Sequence, residues 1–116
     1  MRNLYAQRDK LEKALQRDFD CDWDGLLRLI HLGQAAVWEE GESVVIVQTT
    51  KKANELVFWL AAGKLDECMG LRDQILERAR EIGITRAHTI CRRGWDKALR
   101  RDGWKHVASH YTKEIG

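Results

Sequence analysis

The sequence predicts an α/β fold in which a mixed β-sheet is covered by helices on both faces. Two segments, 43–50 and 55–61, are almost continuously apolar, which is typical of strands buried on both sides. A long amphipathic helix over 65–82 separates the second of them from another strand, 84–91. Because a helical crossover joins strands that run in parallel, these last three segments predict a right-handed βαβ unit.

The part of the chain before the sheet is predicted to be helical. Leucines recur at helical spacing in residues 3–18, and an apolar stripe that begins at Trp23 runs through residues 23–32. Gly33 follows as the residue that ends the second helix. Two helices therefore precede the strands.

The strands before the long helix are predicted to form an antiparallel meander. A strand over 35–39 leads into the turn Glu40-Gly41-Glu42, and a turn over 51–54 separates the two apolar strands. After the βαβ unit, a short helix over 94–102 and a strand over 104–112 follow. The predicted order is α-α-β-β-β-α-β-α-β.

The long helix is predicted to turn one apolar face towards the sheet and to end before Gly83. With one charged exception, its predicted inner stripe is apolar. The stripe consists of Leu65, Met69, Arg72, Ile75, Leu76, Ala79 and Ile82.

Composition indicates one soluble globular domain over residues 1–116. Hydrophobic residues make up 44% of the chain and charged residues 33%, which is ordinary for such a domain. The sequence has no apolar run of 18 residues and no secretory h-region, so we predict no membrane span and a cytoplasmic location. The three cysteines match neither a disulfide framework nor a zinc motif and are predicted to be small core residues.

The net charge of +2 is unevenly distributed, and this raises the question of nucleic acid binding. Residues 1–82 hold 12 Lys/Arg and 15 Asp/Glu, whereas residues 83–116 hold 8 and 3. Cations interleaved with Trp95 and Trp104 are typical of single-strand binding surfaces. A solvated helix and strand face would show the same charges. The basic candidates are Arg86, Arg92, Arg93, Lys97, Arg100, Arg101 and Lys105.

Four segments give the chain a resemblance to a known family. They are the apolar strands at 44–47 and 56–60, the helix end Ala79-Arg80-Glu81-Ile82-Gly83, and the run Ala98-Leu99-Arg100-Arg101-Asp102-Gly103-Trp104. In element order and spacing, residues 4–112 resemble the GNAT superfamily of acyl-CoA-dependent N-acyltransferases. The resemblance implies a GNAT-like mixed sheet and, in a typical member, an acetyl-CoA site.

The chain departs from the family at the turn that would hold the cofactor's pyrophosphate. Residues 63–70 read GKLDECMG, without the family's Arg/Gln-x-x-Gly-x-Gly/Ala loop. Asp66 and Glu67 instead fall in the first helical turn, where carboxylates stabilise the helix but repel an anion. Lys64 is the nearby cation. Leu99 stands where many relatives have a tyrosine that protonates the leaving thiolate, and a leucine supplies no proton.

These departures favour a non-catalytic GNAT-fold protein that acts through protein binding or assembly, without a cofactor. The resemblance to short phage and prophage proteins implies a phage-encoded chain in a host cytoplasm. The alternative is an atypical N-acetyltransferase, with Lys64, Arg92 and Arg93 holding acetyl-CoA and Glu55 as general base. A solvated turn carboxylate is the simpler interpretation of Glu55. The second alternative is a nucleic-acid-binding module built on residues 86–105.

Trp38 is the candidate for a protein interface. Three glutamates and a glycine follow it, so part of its ring is predicted to be exposed, and exposed aromatic side chains mark interfaces. A homodimer or docking onto another protein follows as a hypothesis. No metal site is predicted, because His106 and His110 would lie about 13 Å apart along a strand.

Overall fold

A computed structural model describes residues 1–18, 21–49, 54–89, 96–105, 113 and 115 of the chain. Helices come first, then a meander of strands, then alternating helix and strand. The elements are α1 (Arg2–Ala6), α2 (Arg8–Asp18), α3 (Trp23–His31), β1 (Ala35–Glu40), β2 (Ser43–Thr49), β3 (Glu55–Ala62), α4 (Leu65–Glu81), β4 (Arg86–Thr89) and α5 (Asp96–Arg101). The predicted α/β class is confirmed, and so is the predicted order of strands and helices from α3 to α5.

The sheet is mixed, with the strand order β1-β2-β3-β4. The first two pairings are antiparallel, and β3 pairs with β4 in parallel from Glu55↔Arg86 to Phe58↔Thr89. The meander and the βαβ unit predicted from the sequence are therefore both confirmed. The register shifts between Ile46 and Val47, which leaves Trp59 as an extra residue of β3. This β-bulge locally bends the strand and increases its twist.

Helices cover both faces of the sheet, as predicted, and each face has its own core. The α1–α3 face holds Leu4, Leu11, Leu15, Trp23 and Leu26 against Val44, Ile46, Trp59, Leu60 and Ala62. The α4 face holds Cys68, Leu71, Ile75 and Ala79 against Val45, Val47, Leu56 and Phe58. Alternate residues of β2 therefore enter opposite cores, which explains why this strand is apolar at every position from 44 to 47.

The predicted inner stripe of α4 is wrong at both ends. Leu65 and Ile82 are 60% and 59% exposed, whereas Cys68 and Leu71 are buried. The cause is the anchoring of the first turn: the Glu67 side chain is hydrogen-bonded to Ser43 on β2, which fixes the rotation of the helix about its axis. The buried positions 68, 71, 75 and 79 still follow helical periodicity.

The first helix is also not the single element that the sequence predicted. It divides at Gln7 into α1 and α2, although the backbone bonds Gln7 N–H to Asn3 O and Leu11 N–H to Gln7 O keep the two helices joined. At the other end of the chain, Trp104 was predicted to begin a strand and lies outside one. The rest of that predicted strand, 106–112, falls outside the described residues. Within the described residues, no helix combines the length and apolarity that a membrane span requires.

Candidate functional site

The candidate site lies where β3 passes into α4, because this turn corresponds to the predicted pyrophosphate loop. Gly63 makes the turn with φ +124°. A Cβ atom here would lie 2.2 Å from Ser43 Oγ and 2.6 Å from Ser43 Cα. The turn is therefore pressed against the start of β2, and only glycine fits both the backbone conformation and the space.

A buried serine and an acidic residue of α4 close this turn from within. Ser43, which is fully buried, donates from Oγ to Glu67 Oε1 over 2.7 Å and accepts from the Lys64 N–H over 2.8 Å. Glu67 Oε1 also accepts from the Glu42 N–H over 3.4 Å. We call this set of bonds the Ser43–Glu67 bridge. It ties the first turn of α4 to the β1–β2 hairpin.

Helix α1 holds the same hairpin. Asn3 Nδ2 donates to the carbonyl oxygens of Gly41 and Ser43, each over 2.9 Å, and Gln7 Nε2 donates to Glu42 O over 2.9 Å. The hairpin carbonyls are thus satisfied by amide side chains from α1, while the Ser43–Glu67 bridge joins the hairpin to α4. Two elements therefore fix the position of the candidate site.

The electrostatics of the α4 N-terminus are unfavourable for a phosphate. Asp66 and Glu67 lie in the first turn, where their charges interact favourably with the helix dipole. The N-cap residue, Lys64, makes no side-chain capping bond, and its backbone N–H is already used by Ser43. An anion at this helix start would be repelled by two carboxylates. It would also find one backbone N–H donor fewer than an open turn offers.

Glu55, the candidate general base, lies far from this turn. It begins β3, and the strand from Glu55 to Ala62 spans about 23 Å. Its carboxylate is 18% exposed and pairs with Arg86 Nη1 over 3.6 Å and His88 Nε2 over 3.3 Å, both on β4. The structure therefore separates Glu55 from Lys64, while Arg92 and Arg93 fall outside the described residues.

Leu99 is a core residue, being 8% exposed. After α5, the backbone N–H of Trp104 bonds to Leu99 O, and the Trp104 ring packs edge-on against Phe58 with 6.0 Å between ring centroids. The Arg72 guanidinium carbon lies 5.3 Å from the Phe58 ring centroid and 5.4 Å from that of Trp104. This cation–π contact explains why a charged residue lies on the half-buried flank of α4.

The remaining predicted residues occupy separate surfaces. Arg86 belongs to β4 and pairs with Glu55, whereas Lys97, Arg100 and Arg101 are exposed on α5, with Lys105 exposed after it. Trp38 is half-buried and lines a groove along α4. Among the residues that the structure describes, no three His, Cys, Asp or Glu side chains are arranged to hold a metal ion.

Two site residues were missed from the sequence. Ser43 begins an apolar strand directly after a hairpin turn, and a hydroxyl at such a position was a usable signal for a bond across the turn. Cys68 was predicted only as a core residue. Its neighbours include Ser43 and the Ala62 carbonyl, and burial raises the pKa of its thiol above the ordinary value.

Solved structures of similar backbone show which fold this chain has. An aminoglycoside acetyltransferase, meta-AAC0020, from an uncultured soil metagenomic sample superimposes with a TM-score of 0.62 at 12% identity in its complex with sisomicin. Its complex with trehalose gives 0.62 at 13% identity, and each match covers 97% of this chain and 88% of that one. The fold is GNAT-like.

A further structural match is TTHA1254 from Thermus thermophilus, with a TM-score of 0.52 at 15% identity over 95% of this chain and 91% of that one. No family model and no curated protein matches the sequence. At these identities the likeness concerns the fold alone. The resemblance predicted from four sequence segments is confirmed at the level of the fold.

Proposed function

We propose that this protein uses the GNAT-like fold to bind a protein partner or a second copy of itself, and does not transfer acetyl groups. The observation that carries the proposal is the Ser43–Glu67 bridge. It uses the Lys64 N–H internally and holds a carboxylate at the helix start where a pyrophosphate would bind. A binding role reuses a stable scaffold without its chemistry.

The second candidate is an atypical acetyl-CoA-dependent N-acetyltransferase, and the similarity of the whole fold to an acetyltransferase favours it. In that case Lys64, with Arg92 and Arg93, would hold the cofactor and Glu55 would act as base. The contacts of the Glu55 carboxylate with the Arg86 guanidinium and with His88 Nε2 would then have to open for proton transfer. A phage or prophage origin and a cytoplasmic location stay predictions from the sequence.

Thermal unfolding with acetyl-CoA separates the two candidates. A ligand at 100 times its dissociation constant stabilises a protein by about 2.7 kcal/mol, which is a large shift for a domain of this size. We expect millimolar acetyl-CoA to leave the melting temperature of the wild-type protein unchanged. A saturable rise would overturn the proposed function.

A charge-neutralised variant tests whether the two carboxylates at the start of α4 exclude acetyl-CoA. Asp66→Asn/Glu67→Gln removes both negative charges from the first turn of α4, and we expect this variant to gain a melting shift with acetyl-CoA. Asp9→Asn/Asp24→Asn removes the same charge from exposed positions on helices of the α1–α3 face and serves as the matched control. Equal behaviour of the two variants would show that the carboxylates at the helix start do not exclude the cofactor.

A further inference from the structure

The outer edge of strand β1 is regular and open to pairing. Within the described residues β1 lies at the end of the strand order and pairs with β2 alone, in an unbroken register from Ala35↔Gln48 to Glu40↔Ser43. Its six residues include no proline, lysine or bulge, the features by which edge strands commonly avoid pairing with another chain. About 20 Å of strand backbone, with outward N–H and C=O groups, can therefore accept an added strand.

A groove runs along this edge between β1 and α4. Trp38 and Glu40 are two residues apart in β1 and share the sheet face that α4 covers, where the Trp38 ring packs against the α4 core. The Glu40 carboxylate reaches the helix, because a Cβ atom on Gly70 would lie 3.5 Å from Glu40 Oε2. Asp73 follows one turn later on the same flank of α4. The groove is lined by Trp38, Asp73, Gln74, Glu77, Arg78 and Glu81.

Two carboxylates at the groove are not neutralised by the protein itself. Glu40 and Asp73 are exposed, and neither has an ion pair or a side-chain hydrogen bond with another described residue. The other carboxylates already have partners on α4. They are Glu77, 2.6 Å from Arg80, and Glu81, 3.2 Å from Arg78. Because these two pairs are neutral, the net charge of the groove comes from Glu40 and Asp73 and is negative.

This charge and the aromatic ring determine which side chains fit the groove. A lysine or arginine next to Trp38 gains a cation–π contact, and the same cation can pair with Glu40 or Asp73. In a strand added to β1, successive side chains point to opposite faces of the sheet, so every second one meets α4. The groove therefore suits an extended segment with cationic side chains at alternate positions.

We propose that β1 binds such a segment of another protein as an added strand. The backbone groups of β1 supply the hydrogen bonds, and Trp38, Glu40 and Asp73 select lysine or arginine at the positions that face α4. This proposal rests on the proposed function and names the class of partner: a basic, extended peptide segment.

A synthetic peptide of alternating lysine and threonine, with blocked ends, is the probe. We expect its titration into the isotope-labelled full chain to give saturable shifts of the backbone amide NMR signals of β1 and of the flank of α4 that holds Asp73. Signals of α2, on the other face of the sheet, should stay in place. Binding should weaken as salt screens the charges. A peptide with glutamate in place of lysine tests the charge, and one with N-methylated amides at alternate residues tests the strand pairing; neither should bind.

A pair of charge-neutralised variants tests the residues. Glu40→Gln/Asp73→Asn should raise the dissociation constant of the lysine peptide about tenfold, since it removes two ion pairs and keeps the side-chain shapes. Asp9→Asn/Asp24→Asn changes the net charge by the same amount at exposed positions of the α1–α3 face and should bind like the wild type. Equal weakening of the two variants would contradict a role for Glu40 and Asp73.

Three other results would overturn the peptide site. They are the absence of saturable shifts in β1 at the highest soluble peptide concentration, equal binding of the N-methylated peptide, and a doubled mass of the free 13.5 kDa chain with β1 protected, which would assign the edge to a second copy. Failure of the site is distinguishable from failure of the proposed function. No peptide binding and no acetyl-CoA shift would leave protein binding through another surface, whereas an acetyl-CoA shift would remove the non-catalytic role whether or not the peptide binds.

Discussion

Ser43 is a polar residue at a fully buried position, and both hydrogen-bonding capacities of its hydroxyl are used inside the chain. A buried hydroxyl without partners would be costly, so its retention at the head of an apolar strand depends on the partners that the turn before α4 supplies. Its donor and acceptor bonds connect an acidic side chain to a backbone N–H. The residue therefore contributes to the position of α4 and not only to the packing of β2.

We expect Ser43→Ala to lower the free energy of unfolding by about 1–3 kcal/mol, because it leaves the Lys64 N–H and the Glu67 carboxylate without the partner that Ser43 provides. Urea unfolding measures the loss. Thr85→Ala is the matched hydroxyl deletion, since Thr85 Oγ1 makes a long 3.5 Å bond at an exposed site. Its effect should stay within about 0.5 kcal/mol. Equal losses for the two variants would contradict the role given to Ser43.

Cys68 and Cys21 should differ in their reactivity towards iodoacetamide. Burial raises the pKa of the Cys68 thiol, so at neutral pH it is protonated and also shielded, being 8% exposed. Cys21 is half-exposed. Peptide mapping by mass spectrometry should find Cys21 alkylated well before Cys68. Raising the pH should speed the labelling of Cys68, because the thiolate forms only as the pH approaches the raised pKa. Faster labelling of Cys68 at neutral pH would contradict this prediction.

At the scale of elements, the turn between β3 and α4 depends on its glycine more strictly than the turn after α4 does. Gly63 and Gly83 both have positive φ, at +124° and +89°. A Cβ at position 63 would collide with the backbone of Ser43, whereas at position 83 it would meet no described atom within 4 Å. Substitutions at the two positions therefore distinguish the cost of backbone strain from the cost of steric collision.

We expect Gly83→Ala to cost about 1–2 kcal/mol, which is the penalty of a left-handed conformation for a residue with a Cβ atom. Gly63→Ala should cost at least about 1 kcal/mol more, because β2 and the turn must also move apart. Chemical denaturation of both variants gives the comparison. Losses of the same size would show that the close approach to Ser43 carries no energetic weight.

Element order could be predicted from the sequence because it depends on local signals. The apolar runs at 44–47 and 56–60, the amphipathic helix between strands and the glycine after it are all readable without tertiary contacts. The rotation of α4 and the division of the first helix were not readable. Both occur at residues whose side chains bond to the distant hairpin, namely Glu67 in α4 and Asn3 and Gln7 in the first helix. The acidic start of α4 is a local signal and was predicted correctly. Its bridge to Ser43 depends on a residue far away in the sequence and was not predicted.

At the scale of the whole molecule, one sheet separates two cores that share their central strands. Val44 and Ile46 of β2 enter the α1–α3 core, and Val45 and Val47 enter the α4 core. If the helices on one face detach, the apolar side chains on that face of β2 are exposed to water. The core on the other face is then weakened, because it packs against the same strand. Such coupling favours a single cooperative unfolding transition over stepwise loss of the two helical layers.

Leu26→Ala in the α1–α3 core and Leu71→Ala in the α4 core test this coupling. The two side chains are 0% and 1% exposed, so each variant should lose about 2–5 kcal/mol through lost burial and the cavity left behind. In both variants, tryptophan fluorescence and far-ultraviolet circular dichroism should give the same urea midpoint, because the layers unfold together. If one variant showed separate midpoints, with helix content persisting after the fluorescence change, the two faces of the sheet would be independent folding units.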